Sequence, residues 1–268
     1  MSYGVMMLLA IDIGNTHTVL GLFNGDELSY SWRFQSNIDR TVDEFGMQVI
    51  AALSNVNVNR SDISFCIIGS VVPALSRVFT KLVDKYFHVK SLLIDTSCFV
   101  GIDIRVEDTN AVGADRIANA LGALERVGAP CIIVDFGTAT TFDVVAPDGA
   151  FEGGIIAPGL LVSARALFEH TAKLPHIELA EPTHVVGKNT SDAMLSGIMF
   201  GYVELVDGLV RRIKRDGGDG AYSNAKVVST GGMSPMISHL SSEIECNVPD
   251  LTLRGLLAIG RRNGYGAL

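Results

Sequence analysis

The chain has 268 residues and a formal net charge of −8, from 21 basic and 29 acidic side chains. An acidic chain repels phosphate backbones, which argues against binding to nucleic acid. Met6–Ile11 and Gly154–Phe168 are too short, or are too interrupted by Pro158, Gly159 and Arg165, to span a membrane. No Lys or Arg precedes Arg33, so we predict no secretory signal. The four cysteines are widely spaced, as is typical of reduced thiols in a cytoplasmic protein.

A polar loop rich in Gly and Thr follows an apolar strand at two places in the chain. The first copy is Asp12–Thr18 and the second is Asp135–Thr141, 123 residues later. In both copies a second strand, a tight turn and a third strand come next. The Asn24-Gly25 pair in the first turn is a strong hairpin signal. The chain therefore contains a repeated unit of strand, loop, strand, turn and strand.

The first half continues with signals for two helices and two strands. Thr41–Glu44 is a capping box, which predicts the start of a helix. Phe65–Ile68 predicts a strand that leads into a second helix at Pro73, since proline suits the first helical turn. Leu92–Ile94 predicts a short buried strand.

Two further helices follow, and a later strand repeats the pattern of Phe65–Ile68. Asp115–Val127 and residues 191–215 have the apolar spacing of helices, and the longer one ends in basic residues followed by glycine. Val227–Ser229 predicts a strand that again enters a glycine-rich turn with proline. We therefore predict a duplicated α/β fold with domains at residues 1–128 and 129–268.

The two polar loops have the composition of phosphate-binding loops. Glycine permits a positive φ and lets the backbone approach a phosphate closely, while N–H groups and Thr or Asn side chains donate to its oxygens. An Asp at the strand end suits a cation that neutralises the phosphate. Thr230-Gly231-Gly232 offers a flat surface for a nucleoside. One such loop alone is usually a plain hairpin turn, but two copies in a duplicated frame favour a polyphosphate site.

This arrangement resembles the superfamily of actin, sugar kinases and heat-shock ATPases. Seven motifs then occur in a specific order: Asp12-Ile-Gly-Asn-Thr16, Gly113-Ala-Asp-Arg116, Asp135-Phe-Gly-Thr-Ala139, Gly153-Gly-Ile-Ile-Ala-Pro-Gly159, Thr171-Ala-Lys-Leu-Pro175, Gly187-Lys-Asn-Thr190 and Thr230-Gly-Gly232. With these motifs the chain resembles type III pantothenate kinase from about residue 7 to the C-terminus. The resemblance implies two actin-like, ribonuclease H-like ATPase domains with an interdomain nucleotide cleft. It also implies ATP-dependent phosphorylation of pantothenate to 4'-phosphopantothenate, the first step of coenzyme A biosynthesis.

The resemblance implies roles for individual residues. The ATP contacts would be Asp12, Ile13, Gly14, Asn15, Thr16, His17, Thr18, Val19, Thr138, Gly231 and Gly232. The pantothenate contacts would be Gly113, Ala114, Asp115 and Arg116, together with Thr190 of the partner subunit in a homodimer. Asp115 would be the catalytic base. Asp12 would lie near Mg²⁺, and Asp135 would hold a monovalent cation, K⁺ or NH₄⁺.

Several alternatives stay open. Asp115 lies where a carboxylate commonly caps a helix, and we expect the helix terminus to lower its pKa. Ala193, Gly197 and Gly201 are small residues on one helix face, which favours a homodimer but is also consistent with chance. His17 is more simply a loop side chain than a catalytic group. Val106–Thr109 departs from the family pattern of Tyr and then Asn-Pro, which removes an expected tyrosine contact with pantothenate.

Two other functions are compatible with these features. One is a kinase of the same superfamily that acts on another small hydroxylated substrate, which the departure before the Gly-Ala-Asp-Arg motif motivates. The other is a non-enzymatic regulatory homologue. The negative charge and the absence of a DNA-binding helical motif argue against direct contact with DNA.

Overall fold

The computed structural model describes residues 6–95, 98, 100–169 and 174–266. The strands are β1 (Met7–Ile13), β2 (His17–Asn24), β3 (Glu27–Gln35), β4 (Ile63–Ser70), β5 (Ser91–Leu93), β6 (Cys131–Phe136), β7 (Ala139–Val145), β8 (Phe151–Pro158), β9 (Lys226–Thr230) and β10 (Cys246–Asn247). The α-helices are α1 (Val42–Ser54), α2 (Pro73–Phe87), α3 (Ala114–Val127), α4 (Leu160–Glu169), α5 (Thr190–Asp216), α6 (Ser234–Ile237) and α7 (Leu251–Arg262).

Two five-stranded sheets share one topology. The first has the order β3-β2-β1-β4-β5, and the second has the order β8-β7-β6-β9-β10 when read from its other edge. In each sheet the first three strands of the repeat pair antiparallel, and the last two join in parallel. The duplicated α/β fold predicted from the sequence is therefore confirmed.

Unit 1 contains the first sheet. It comprises Met1–Ile102, Glu107–Gly122 and Leu251–Leu268. The core on one side of this sheet joins apolar residues of the central strands to α1 and α2, through side chains such as Phe45 and Phe79. The predicted capping box starts α1, because the Thr41 side chain accepts from the backbone of the third helical residue and that residue's carboxylate accepts from the Thr41 backbone N–H.

Unit 2 contains the second sheet. It comprises Asp103–Val106 and Ala123–Asp250. Its core packs β6 and β7 against α5, with Phe142, Met199 and Val206 fully buried. The segment at residues 103–106 lies along β8, since the N–H of Arg105 donates to the carbonyl of Phe151 over 2.8 Å.

These units differ from the predicted division at residue 128 because α7 returns to the first sheet. A Cβ on Gly255 of α7 would collide with the backbone of Ala118 in α3, and one on Gly122 would lie 2.8 Å from the Leu251 carbonyl oxygen. The two helices thus touch backbone to backbone. This contact, with the packing of α7 on β1 and β4, places the last helix in unit 1 although it follows the second repeat.

Helix α5 is long and apolar enough to cross a membrane, with a mean hydropathy of 1.5 in its most apolar 18-residue window. One such helix is weak evidence, because a core helix of a globular protein has the same composition. Met199, Tyr202, Val206 and Val210 of α5 are buried in the unit 2 core. The length and composition of α5 therefore agree with a core helix.

Candidate active site

The first polar loop joins β1 to β2 in unit 1. The N–H of Gly14 donates to the carbonyl of His17 over 3.0 Å, which closes the loop tightly. Asn15, Thr16 and His17 are exposed, whereas Ile13 and Thr18 are fully buried and Val19 is half-buried. The Thr18 hydroxyl lies 2.9 Å from that of Ser36 on the adjoining segment, so this side chain anchors the loop.

The glycines of the two polar loops do not have the positive φ that the sequence predicted. Gly14 and Gly137 lie outside the positive φ region. A Cβ on Gly14 would stand 3.1 Å from the His17 carbonyl oxygen, and one on Gly137 would stand 3.3 Å from that of Ala139. The positive φ predicted from the loop composition is therefore wrong for both. Each glycine thus lies in tight contact with the backbone of its own loop, where a Cβ would be closer than most Cβ contacts.

Asp12 and the start of α3 lie at the same end of the first sheet. Asp12 is half-buried at the end of β1 and pairs in register with Gly69 of β4. A Cβ on Gly69 would lie 3.8 Å from the Cβ of Ala114, and one on Gly113 would lie 3.2 Å from Cγ1 of Val71. The Gly-Ala-Asp-Arg motif is thus packed against the end of β4, beside the strand that carries Asp12.

Asp115 lies in the first turn of α3. Its Oδ1 accepts from the N–H of Arg116 over 2.8 Å, and Gly113 leaves room for the carboxylate, because a Cβ there would collide with Oδ1. Burial raises the pKa of Asp115, although the N–H and the charge of Arg116 oppose that shift. The lowered pKa expected at a helix terminus is therefore wrong, since desolvation outweighs the hydrogen bond. A raised pKa makes Asp115 a better proton acceptor.

The second polar loop brings Asp135 against the Thr-Gly-Gly segment. Asp135 is the last but one residue of β6 and pairs in register with Thr141 of β7 and Thr230 of β9. Gly231 has a φ of +92°, and a Cβ there would collide with Oδ1 of Asp135 and with the backbone of the residue after it. The side chain of Asp135 therefore occupies the space that a residue other than glycine at position 231 would fill. Gly232, next in the chain, is exposed.

Two residues outside the predicted site support the second loop. A Cβ on Gly159 would lie 2.8 Å from the Gly137 carbonyl oxygen and would collide with that of Thr138. The Tyr202 hydroxyl on α5 donates to the carbonyl of Pro158 over 3.3 Å and pairs with the hydroxyl of Thr140. Sequence reasoning missed Tyr202, because a tyrosine on the apolar face of a helix has no pattern that separates it from ordinary core residues.

Thr190 is the first residue of α5 in unit 2, whereas Asp115 belongs to unit 1. Asn189 caps the helix, with its Oδ1 accepting from the N–H of Asp192 over 2.9 Å. An open groove of about 420 Å³ surrounds Thr190, and its other lining residues are Leu167, Leu174, Ala193, Met194, Gly197 and Ile198. The first three residues of the predicted motif Thr171–Pro175 lie outside the described residues.

Protein side chains alone do not form a metal cage in the described part of the chain. Within it, no group of three or more His, Cys, Asp or Glu could hold a metal ion. Any cation at Asp12 or Asp135 would therefore need other oxygen ligands, such as hydroxyls, backbone carbonyls, water or phosphate.

The paired sheets, each with a polar loop after its central strand, define a protein of the actin-like ATPase and sugar kinase class. Solved structures share this fold at low identity. A conserved Campylobacter jejuni protein assigned to the Baf family of transcriptional activators has a TM-score of 0.59 at 19% identity, covering 96% of this chain and 99% of that one. A Sinorhizobium meliloti protein that carries the name 2-dehydro-3-deoxygalactonokinase has a TM-score of 0.57 at 15% identity, covering 95% and 96%.

Closer relatives identify the family. The sequence profile of type III pantothenate kinase matches residues 8–212. The type III pantothenate kinase of Geobacillus thermodenitrificans is 45% identical over 257 residues, which are 96% of this chain and 98% of the relative. That of Geobacillus kaustophilus is 43% identical over the same shares. This chain belongs to the type III pantothenate kinase family.

Proposed function

We propose that this chain transfers the γ-phosphoryl group of ATP to the primary hydroxyl of pantothenate and so begins coenzyme A biosynthesis in the cytoplasm. The observation that carries the proposal is Asp115, a half-buried carboxylate at the start of α3 with a raised pKa. It accepts a hydrogen bond from the substrate hydroxyl, aligns that oxygen with the γ-phosphorus and takes its proton. Because phosphoryl transfer is largely dissociative, the proton is needed late, so alignment is the larger part of this role.

The two polar loops bind phosphate oxygens through backbone N–H groups and exposed side chains. Asn15 and Thr16 supply donors in unit 1, and Thr138 supplies them in unit 2. Arg116, next to the base, stabilises negative charge on the transferring group. The carboxylate of Asp12 would hold Mg²⁺ together with water and phosphate oxygens, which are the ligands that this ion prefers. When bound, Mg²⁺ would neutralise phosphate charge.

The central experiment is to measure ADP release by the purified chain with ATP, Mg²⁺ and pantothenate, and to identify the product by mass spectrometry. We expect ADP release that depends on pantothenate and a product heavier by one phosphoryl group. ADP release independent of pantothenate would contradict the proposal. Asp115→Asn is the matched control, since it keeps the shape of the side chain but accepts no proton.

We propose that Asp135 holds a monovalent cation beside the phosphates. Gly231 supports this, because a Cβ at position 231 would collide with Oδ1 of Asp135. The carboxylate can take its position only because residue 231 is glycine. A large, weakly hydrated ion fits flexible oxygen ligands that a small ion cannot satisfy. We therefore expect activity in K⁺ or NH₄⁺ and little in Na⁺ or Li⁺, measured as ADP release at matched ionic strength. Equal rates in all four salts would remove the role.

We propose a homodimer that uses the outer face of α5. Gly197, Gly201 and Gly208 lie on one stripe of this helix, and a Cβ at any of them would meet no atom within 4 Å. Each glycine costs a helix about 1 kcal/mol relative to alanine, and the described part of the chain offers no packing reason for it. Leu205, beside the stripe, is 38% exposed. Close approach of a second copy explains both features, and sedimentation equilibrium measures it directly.

The segment Val106–Thr109 favours one alternative, in which the phosphoryl acceptor is a small hydroxylated compound other than pantothenate. Val106 faces the open side of Gly153, since its Cγ1 lies 3.5 Å from where a Cβ would stand, and no tyrosine is present in this segment. A panel of small hydroxylated acids and sugars, assayed by ADP release, separates the two substrates. A clear preference for another compound over pantothenate would favour the alternative. ATP turnover of either kind would exclude a purely regulatory protein.

A further inference from the structure

The hydroxyl of Thr230 is buried without a hydrogen-bond partner. Thr230 ends β9 and is 1% exposed, and among the described residues its Oγ1 is the buried side-chain oxygen for which no partner exists. Native proteins pair nearly all such groups, because a buried polar atom without a partner loses its hydration and gains nothing. A buried hydroxyl of this kind is therefore a candidate ligand for an ion, a water molecule or a bound substrate.

The strand register places this hydroxyl beside Asp135. Thr230 and Asp135 are direct neighbours on the parallel strands β9 and β6. In-register neighbours carry their side chains on the same face of a sheet. Val134 precedes Asp135 by one residue on β6, and Val227 precedes Thr230 by three residues on β9. Both valines belong to the unit 2 core, and side chains alternate along a strand. Asp135 and Thr230 therefore lie on the face opposite that core. The next residue, Gly231, lies against the Asp135 carboxylate.

We propose that Oγ1 of Thr230 is a second protein ligand of the monovalent cation held by Asp135. Because Oγ1 of Thr230 has no hydrogen-bond partner, it makes no hydrogen bond to the carboxylate of its in-register neighbour Asp135. A monovalent ion bound to both residues would give the buried hydroxyl the partner that it lacks. This inference rests on the proposed cation role of Asp135 and names a ligand that role did not include.

The proposal also connects the cation to the nucleotide. Thr230 is the first residue of the Thr-Gly-Gly segment to which we assign the nucleoside, and Gly231 is held at a positive φ against Asp135. A cation bound by Thr230 and Asp135 would fix the start of this segment. Both the nucleotide affinity and the rate of phosphoryl transfer would then depend on the cation.

The experiment measures thermal unfolding with Mg²⁺ and a non-hydrolysable ATP analogue, in KCl and in choline chloride at equal ionic strength. For wild type we expect K⁺ to raise the melting temperature by about 3 °C at a concentration tenfold above its Kd. Thr230→Val keeps the shape and removes the oxygen. In choline it should be at least as stable as wild type, because it deletes an unpartnered buried hydroxyl. In KCl the melting temperature of Thr230→Val should be no higher than in choline chloride.

Two variants control for packing. Thr230→Ser retains the hydroxyl and should keep the K⁺ shift. Ser229→Ala removes a buried hydroxyl of the same strand that is paired with the Ser238 hydroxyl, so it should melt lower in both salts and keep the shift. Binding of ²⁰⁵Tl⁺, followed by NMR, gives a second measurement and should weaken at least tenfold in Thr230→Val.

A full K⁺ shift in folded Thr230→Val would overturn the proposal and leave water or nucleotide as the partner of the hydroxyl. If Thr230→Val does not fold, by circular dichroism, Thr230→Ala is used in its place with the same expectations. Wild type with no K⁺ shift, no Tl⁺ binding and normal pantothenate phosphorylation would also overturn it. In that case the proposed kinase activity stands and only the cation site fails.

Discussion

At the scale of single residues, Asp115 shows a conflict between stability and chemistry. Its carboxyl group is desolvated and its pKa is raised, so the ionised form is disfavoured in the folded protein. That cost develops as pH rises from the unfolded pKa through the folded one, and it is complete above both. A proton acceptor at this position is therefore maintained at the expense of stability near neutral pH.

Asp115→Asn tests both sides of this conflict. The amide oxygen can still accept from the N–H of Arg116, but it cannot take a proton. We expect kcat to fall by about 10²–10⁴-fold with nucleotide binding retained. We also expect a melting temperature at pH 7 that is roughly 2–4 °C higher, if removal of the charge contributes about 1 kcal/mol. Turnover within about threefold of wild type would contradict the assignment of Asp115 as the base.

The pH dependence follows from the same shift. A base works only when ionised, so a raised pKa moves the acid limb of kcat/KM above the ordinary Asp value of 3.8. We expect the rate to fall with decreasing pH at a midpoint above that value, measured in buffers of constant ionic strength. In Asp115→Asn the residual rate should lose this limb. An unchanged limb in the variant would assign the titration to another group.

At the scale of secondary-structure elements, α5 supports the second polar loop through the hydroxyl of Tyr202. Tyr202→Phe removes only the oxygen that joins Thr140 to Pro158. We expect a loss of about 0.5–1.5 kcal/mol in unfolding free energy and a rise of several-fold in KM for ATP, with KM for pantothenate unchanged. Chemical denaturation and steady-state kinetics measure the two effects.

Tyr222→Phe is the matched control for this prediction. Tyr222 also packs against the unit 2 core, but its hydroxyl makes no hydrogen bond within the described residues. We expect both KM values of this variant to equal those of wild type. If Tyr202→Phe loses stability and keeps its KM for ATP, the hydroxyl is structural and does not position the loop.

The local elements could be predicted because their signals lie within a few residues. The capping box at Thr41 and the proline at the start of α2 depend on neighbours along the chain and formed where expected. The two Asp-x-Gly loops also formed within the expected segments, although the flanking strands take up the ends of both. The role of Tyr202 depends on a threonine 62 residues away. The pKa of Asp115 depends on tertiary burial. Such properties arise from packing between distant segments, so no local sequence pattern predicts them.

At the scale of the whole molecule, a shared active site can be tested by mixing inactive subunits. Suppose each site takes Asp115 from one chain and Thr190 from the other. Dimers mixed from Asp115→Asn and Thr190→Ala then contain one doubly altered site and one wild-type site. Random exchange makes about half of the dimers mixed, so about a quarter of all sites should regain activity. ADP release before and after exchange measures this gain.

The complementation requires two controls. Mass spectrometry under native conditions verifies that mixed dimers have formed, and each parent alone must be strongly impaired. Mixed dimers with no gain in rate would mean that Asp115 and Thr190 act within one chain. That result would leave the proposed reaction in place and change only the assignment of Thr190.

The return of α7 to the first sheet has a consequence for biosynthesis. A ribosome delivers Asp103–Asp250 before it delivers Leu251–Arg262, so unit 2 has all its segments while unit 1 still lacks the helix that touches α3. Domains usually mature in the order in which they are translated. Here the second repeat can be completed first, and the helix that carries Asp115 receives its packing partner last. A nascent chain therefore has its second polar loop in place before Asp115, the proposed base, is fixed.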